Sequence, residues 1–399
     1  MAEHDVVLFG ATGFTGGLVA EHLARRANSD SGAGGTPTKW AIAGRNVASL
    51  EATRERLAAI DPGLAGMALL QADVGDPESL KRLAQSTRVL ATTVGPYFKY
   101  GEGLVAACAA SGVDYVDITG EPEFVDTMWV RHHELAERTG ARIVHSCGFD
   151  SIPHDLGTLF TVDRLPEGEP LTVEEFLQAG ARISGGTYHT VIQGLSRARA
   201  TMTAATQRRR LEPRPTGRRA RAIRTPLRPN PVGEGWALTA PTIDVDTVLR
   251  SARGLDRYGP DFRYGLSFVT RRAATAAGIA GGVGALAVLA QVPPVRNALL
   301  RFQDPGDGPD EARRERSWFT ARFAGRVGDE SVPRVICEVR GGDPGYGETA
   351  KMLAESALCL AHDELPEARG MVTPAVAMGQ ALIDRLTQVG IVFEQVSGE

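Results

Sequence analysis

Residues 5–16, Asp5-Val-Val-Leu-Phe-Gly10-Ala-Thr-Gly13-Phe-Thr-Gly16, constrain the fold more than any other stretch of the chain. A strand that runs straight into spaced glycines lets backbone approach a pyrophosphate, and the helix that follows aims its free N–H groups and positive dipole end at that ligand. The spacing is Gly-x-x-Gly-x-x-Gly rather than the stricter Gly-x-Gly-x-x-Gly, so its meaning rests on the strand–turn–helix context, which is present here. A tight turn with close helix packing would use the same glycines. The expectation is a dinucleotide site contacted by Gly10, Thr12, Gly13, Phe14, Thr15 and Gly16.

From residue 5 to about 146, short β-branched runs alternate with helical stretches, the signature of a parallel sheet flanked by helices. Strands are predicted at Asp5–Phe9, Trp40–Ala43, Met67–Gln71, Val89–Val94, Tyr115–Ile118 and Arg142–His145. Six strands in this arrangement describe a Rossmann-type, doubly wound α/β domain. With 399 residues the chain exceeds one compact core. The expected division is a nucleotide domain over 1–155, an α+β substrate and dimerisation domain over 156–345, and helices over 346–399 that pack back onto the first domain. The second domain is expected to hold a strand at Val173–Arg182, a helix opening after Ser184-Gly-Gly-Thr187, and an antiparallel pair at Trp318–Val327 and Pro333–Arg340.

Forty-four basic against 48 acidic residues give a net charge of −4, which offers no reason to expect a nucleic-acid partner. Cys108, Cys147, Cys337 and Cys359 make no Cys-x-x-Cys pair, and no histidine stands at zinc-finger spacing. Reduced thiols and no metal centre are expected. The first strand begins almost at the initiator methionine, leaving no room for a secretory leader, so a cytoplasmic location is expected.

An acidic residue at the end of the second strand would bind the ribose 2′-hydroxyl of NAD; this chain has Ala43-Gly44-Arg45 instead. A guanidinium there pairs with a 2′-phosphate, which favours NADP, although a solvated surface arginine has the same sequence. Asp73, after the third strand, either reaches the adenine edge or caps the next helix at Asp76-Pro77, and capping by the Asp76-Pro77 pair is the safer assignment. The fourth strand runs into Thr93-Val-Gly95-Pro96-Tyr97-Phe98-Lys99-Tyr100, which should lie over the nicotinamide-ribose half of the cofactor. Tyr97, Lys99 and Tyr100 could donate a proton or hold a carbonyl oxygen; equally, the aromatic rings could simply cover the sheet edge. His145, Asp150, His154 and Asp155 crowd a strand–helix turn, and Ser151 with Pro153 explains much of that stretch as a helix start.

Two further stretches stand out. Residues 207–231 carry nine arginines and five prolines, expected as a solvated, mobile loop or as a docking surface for an acidic partner or anionic lipid. Residues 273–295 have no charge and are flanked by Arg271-Arg272 and Arg296. They are mostly alanine and glycine, so a buried or interfacial helix is expected ahead of a membrane span, with Gly278 and Gly282 permitting close helix approach.

The joint set Gly10-Ala-Thr-Gly13-Phe-Thr-Gly16, Ala43-Gly44-Arg45, Thr93-Val-Gly95-Pro96-Tyr97 with Tyr100-Gly101, Cys147-Gly-Phe-Asp150-Ser151-Ile-Pro153, and Thr373-Pro374-Ala375 with Met378-Gly379 resembles the saccharopine-dehydrogenase-like oxidoreductases. Within them the chain is most similar to the actinobacterial trans-acting enoyl reductases of polyketide lipid synthesis, over nearly its whole length. The resemblance implies NADP, C-terminal helices rejoining the nucleotide domain, and an apolar segment linked to association with a lipid membrane surface. It implies peripheral attachment at the inner face of the plasma membrane and an acyl thioester substrate, presented by an acyl carrier protein. It also implies hydride transfer to the β-carbon of that thioester, with protonation at the α-carbon. Tyr97 or Tyr100 is the expected donor to the thioester oxygen, with Lys99 supplying positive potential. The arginine-rich loop and His154, where such proteins often have serine, depart from the family. A saccharopine-type amino-acid dehydrogenase, for which Arg182 is the candidate carboxylate clamp, and a non-enzymatic NADP-binding, lipid-associated scaffold are the alternatives. A homodimer is compatible with either.

Overall fold

In the computed structural model, residues 2–26, 37–180, 185–239, 242–301 and 309–398 are described. They form two compact units. The first comprises Met1–Phe149, Thr203–Arg210 and Tyr346–Leu386; the second comprises Asp150–Met202, Leu211–Gly345 and Thr387–Glu399. The chain therefore passes from one unit to the other at Phe149/Asp150, a few residues before the expected 155/156.

In the first unit, β1 (His4–Phe9), β2 (Trp40–Gly44), β3 (Leu69–Gln71), β4 (Thr87–Thr92), β5 (Asp114–Asp117) and β6 (Arg142–Val144) pair in parallel in the order β3-β2-β1-β4-β5-β6. Each lies within two residues of its expected place, because a strand buried on both faces reads as an unbroken apolar run. Val6, Val7 and Leu8 of β1 are fully buried. One face packs Val7, Leu90, Tyr115 and Ile143 against Leu80, Leu104 and Cys108 and against Phe124 and Met128 of the helix Pro122–Thr139. The sheet order reverses between β1 and β4, so their C-terminal ends flank the crevice where doubly wound sheets take ligands.

The second unit contains β7 (Leu171–Ala179), β8 (Arg219–Ala222), β9 (Arg228–Pro229), β10 (Trp236–Thr239), β11 (Asp261–Thr270), β12 (Phe319–Val327) and β13 (Val335–Gly341). β7 runs parallel to β11 and antiparallel to β12, and β12 pairs antiparallel with β13, as the alternation of those two stretches predicts. The helix Ile152–Val162 starts directly after Ser151, with Pro153 in its first turn, and is buried along its entire length.

The end of the chain serves both units. The helix Gly347–His362 packs beside the helix Phe14–Arg26, where the fully buried Glu355 accepts from His22 and Arg26. β14 (Gly370–Val372) then joins β6 in parallel as a seventh strand of the first sheet. Three residues are too few to leave a periodic signal, so this strand is invisible in the sequence. The expectation of helices alone over 346–399 also misses β15 (Val392–Gly398), which pairs antiparallel with β13 in the second unit.

Residues 207–231 are not a mobile loop. Arg208 is fully buried and ion-paired with Asp126 of the first unit. Arg218 bonds Asp256 and the carbonyls of Ala252 and Leu255, Arg221 pairs with Asp261 at 2.6 Å, and Arg228 pairs with Glu174. The segment contributes β8 and β9, and four of its nine arginines are neutralised by tertiary partners that a local reading cannot see. The apolar stretch forms a helix at Ala273–Leu289 in which only Ala276 is buried, with Ile279, Val283, Val288 and Leu289 exposed. It is not a core helix, and among the described residues no helix is long and apolar enough to cross a membrane.

Candidate cofactor and catalytic site

The glycine turn is built from steric necessity. Gly10 ends β1 at φ +103°, where a side chain would be strained, and a Cβ there would fall 2.8 Å from the Thr93 hydroxyl. The Gly10 carbonyl accepts from the Gly13 amide at 3.1 Å and from Thr93 Oγ1 at 3.2 Å. A Cβ on Gly16 would lie 2.1 Å from that same carbonyl oxygen. Gly13 is different: it is exposed, and a Cβ there would meet only the Gly10 oxygen, at 3.6 Å. Packing thus demands glycine at 10 and 16, while 13 keeps open the space above the first turn of the helix Phe14–Arg26. Thr12 is exposed beside it and Phe14 and Thr15 are half-buried. A helix start beneath a space that a side chain would fill fits a pyrophosphate.

Arg45 is exposed at the end of β2, and its carbonyl is held by Gln71 Nε2 at 3.1 Å. Asn46 caps the next helix through the Ser49 amide, so the strand ends cleanly at the arginine. Asp73 turns inward on its own loop, accepting from the Gly75 amide at 2.8 Å, and Asp76 caps the helix Pro77–Gln85.

After β4, Thr93 ties its loop to Gly10, and Gly95 is exposed. Tyr97 is buried; its hydroxyl donates to the Thr92 carbonyl at 3.1 Å and accepts from the Ile118 amide at 3.3 Å. The amides of Tyr97 and Phe98 bind the Glu121 carboxylate at 2.9 and 2.7 Å. Tyr97 is therefore a pin that fastens the loop to the sheet. Tyr100 is half-buried, and the exposed Lys99 places Nζ 4.8 Å from its ring centroid.

Beyond this loop, β5 and β6 deliver a pair that the sequence does not announce. Their register, Val116 opposite Val144, makes Asp117 and His145 the next neighbours. The fully buried Asp117 accepts from His145 Nδ1 at 2.7 Å, from the Tyr115 hydroxyl at 2.9 Å, and from the amides of Ser146 and Thr119 at 2.9 and 3.1 Å. Ser146 has φ +61°, the one positive φ on a non-glycine among the described residues, a strain of about 1–3 kcal/mol that its neighbours must hold. A carboxylate at the end of an apolar strand was the available signal for Asp117; its partner required the sheet.

A family model described as the saccharopine dehydrogenase NADP-binding domain matches residues 6–144. A Mycobacterium ulcerans protein named trans-acting enoyl reductase is 36% identical over 98% of this chain and 97% of its own length. A Mycobacterium bovis protein of the same name is 34% identical, with the same coverage. The chain belongs to the trans-acting enoyl reductase family of saccharopine dehydrogenase-like oxidoreductases. Among solved structures, saccharopine dehydrogenase (L-Glu forming) from Saccharomyces cerevisiae shares the fold, with a TM-score of 0.53 and 11% identity over 99% of this chain and 100% of that one. This family member is an NADP-dependent oxidoreductase. Arg182, the candidate carboxylate clamp of the amino-acid dehydrogenase alternative, lies outside the described residues.

The second unit of the reductase buries an ionisable cluster of its own. His154 donates or accepts through Nδ1 with Glu175 at 2.6 Å, its Nε2 lies 4.0 Å from Asp244, and the Tyr264 hydroxyl bonds the other oxygen of Glu175. Burial lowers the basicity of His154, but Glu175, Asp244 and Asp150 outweigh it and push the ring up to about 9. Burial raises Asp244 to about 7, with Asp150 and Glu175 adding to the shift and His154 opposing it. Both folded-state values lie above the unfolded ones, so both groups bind protons more tightly in the fold, and their contribution is lost as pH rises. For His154 that contribution is complete below 6.5 and gone above about 9. The melting temperature is expected to fall between pH 7 and 9.5, and more steeply than in His154→Gln. Parallel melting curves for the two proteins across that range would show that His154 carries no such linkage.

Proposed function

We propose that this oxidoreductase reduces an α,β-unsaturated acyl thioester in the assembly of a polyketide or complex lipid, the acyl group being presented by a carrier protein. Full-length likeness to relatives named trans-acting enoyl reductase is the observation that carries the proposal. Bound NADPH supplies the hydride for the β-carbon. The first turn of the helix Phe14–Arg26 binds its pyrophosphate, and Arg45 takes the 2′-phosphate. As negative charge grows on the thioester oxygen, the Tyr100 hydroxyl donates to it and Lys99 supplies positive potential. Tyr97 keeps their loop in place.

Stopped-flow loss of nicotinamide absorbance with crotonyl-pantetheine tests this. Turnover by the full chain is expected, with Tyr100→Phe slower by about 100-fold, the typical effect of losing one oxyanion donor. Tight NADPH binding without turnover of any acceptor would favour the scaffold, and reduction of a saccharopine-type imine alone would favour the amino-acid dehydrogenase.

A peripheral membrane position has an observation of its own. The exposed helix Ala273–Leu289 is uncharged and lies between Arg271-Arg272 and Arg296, with no acidic residue from 271 to 303. Apolar exposure framed by cations suits an anionic lipid surface. Co-sedimentation with phosphatidylglycerol vesicles, lost in Arg271→Glu/Arg272→Glu, is expected; equal recovery in the supernatant with and without vesicles excludes it.

A further inference from the structure

We propose that His145 is the proton donor to the α-carbon and that Asp117 is the positioning residue that holds its ring for that step. This deepens the enoyl-reductase function and rests on it. The His145 side chain is only 5% exposed. Its Nδ1 is committed to Asp117, whereas Nε2 is buried and has no hydrogen-bond partner among the described residues. An unpaired buried nitrogen forfeits its solvation with no return; His4 and His132 bury such an Nε2 too, and His145 differs from them in the strained turn beside it.

The ring also has nowhere to turn. Tyr115 meets it edge-on at 5.7 Å and 68°, and Phe124 at 5.3 Å and 77°. Flipping would take Nδ1 off a carboxylate that already accepts from three other groups. The residue after it, Ser146, carries the strained φ, and three bonds hold that strain: its amide to Asp117, its hydroxyl to the Thr119 carbonyl at 2.6 Å, and the Cys147 amide to the Asp117 carbonyl at 2.6 Å. An unpaired imidazole nitrogen and a strained backbone in consecutive residues both lean on one carboxylate. They sit at the C-terminal edge of a parallel sheet, two strands from β4, which carries the Thr93–Tyr100 loop. Costs of this kind collect where a ligand is to be met.

The step balances without any further reactant. Nδ1–H stays on Asp117, and the proton on Nε2 is the one given to the acyl chain. As hydride adds to the β-carbon, the C=C pair moves toward the α-carbon and carbonyl. The Nε2–H bond breaks as the α-C–H bond forms, and its electron pair stays on Nε2. Neutral imidazole remains on Asp117 and recovers its proton from water. Tyr100 and Lys99 act on the oxygen, and His145 acts on carbon.

His145→Asn keeps a side-chain N–H for Asp117 and removes Nε2. With the full chain, NADPH and crotonyl-pantetheine, it is expected to lower kcat by about 100-fold or more, the scale of a lost general acid, with NADPH affinity within about twofold of wild type. Asp117→Asn should show a smaller loss of kcat with KM unchanged. If His145→Asn does not fold, judged by its melting curve, His145→Gln carries the same comparison. Turnover within about twofold of wild type overturns the assignment. Wild type that reduces only a saccharopine-type imine overturns the enoyl function, and the variant-to-wild-type ratio in that reaction then decides His145 separately. Wild type inert toward both acceptors overturns both.

Discussion

Gly16→Ala is expected to reduce NADPH affinity by about 100-fold, close to 3 kcal/mol of binding free energy. The added methyl would sit 2.1 Å from the Gly10 carbonyl oxygen and 2.7 Å from the Thr93 hydroxyl. The first of these is backbone at the end of a buried strand, so relief has to come from moving the helix start away from β1. That start carries the amides expected to bind pyrophosphate, and a displacement of a few tenths of an ångström degrades every bond they make. Gly13→Ala is the internal control. Its Cβ meets protein no closer than 3.6 Å, so the unfolding midpoint should hardly change, and any loss of affinity there reports crowding of the ligand itself. Fluorescence titration with NADPH, paired with thermal melts, separates the two cases. Gly16→Ala binding NADPH as wild type does would mean that the turn is merely structural.

Arg45→Glu is expected to invert cofactor preference. In the wild type an exposed guanidinium ends β2, on the strand adjacent to β1, where the adenosine ribose of a doubly wound fold is read. A charge-assisted bond to a 2′-phosphate contributes roughly 1.5–3 kcal/mol, or about 10- to 100-fold in affinity. Reversing the charge also adds repulsion toward the phosphate and supplies the acidic partner that a 2′-hydroxyl needs. NADPH should weaken by at least that factor, while NADH gains. Because Arg45 is exposed, the NADPH affinity of the wild type should also fall with added salt, and that slope should flatten in the variant. Unchanged NADPH and NADH dissociation constants in Arg45→Glu would assign 2′-phosphate recognition elsewhere.

Much of the first unit was legible from sequence because its determinants are local. Buried parallel strands read as apolar runs, glycines 10 and 16 are forced by a turn that spans seven residues, and Asp76-Pro77 marks a helix start by chemistry confined to one turn, as Ser151-Pro153 does in the second unit. The candidate catalytic residues were less legible. Tyr97, Lys99 and Tyr100 are neighbours in sequence, yet one hydroxyl is turned onto the Thr92 carbonyl while the other two side chains are left at the surface of the loop. Tyr97 is held that way by Glu121 and Ile118, more than twenty residues further along.

The sequence by itself determined a doubly wound nucleotide-binding unit, its use of NADP and its family, since strand period, glycine geometry and motif spacing are properties of short segments. Tertiary structure alone decided that β14 completes the first sheet and β15 the second, and that Arg208 is buried on Asp126 instead of solvated. It also left the Ala273–Leu289 helix uncovered and set Asp117 against His145. Each of these depends on which distant segment arrives as a neighbour, and burial and pairing are set by that arrival, not by the identity of the residue.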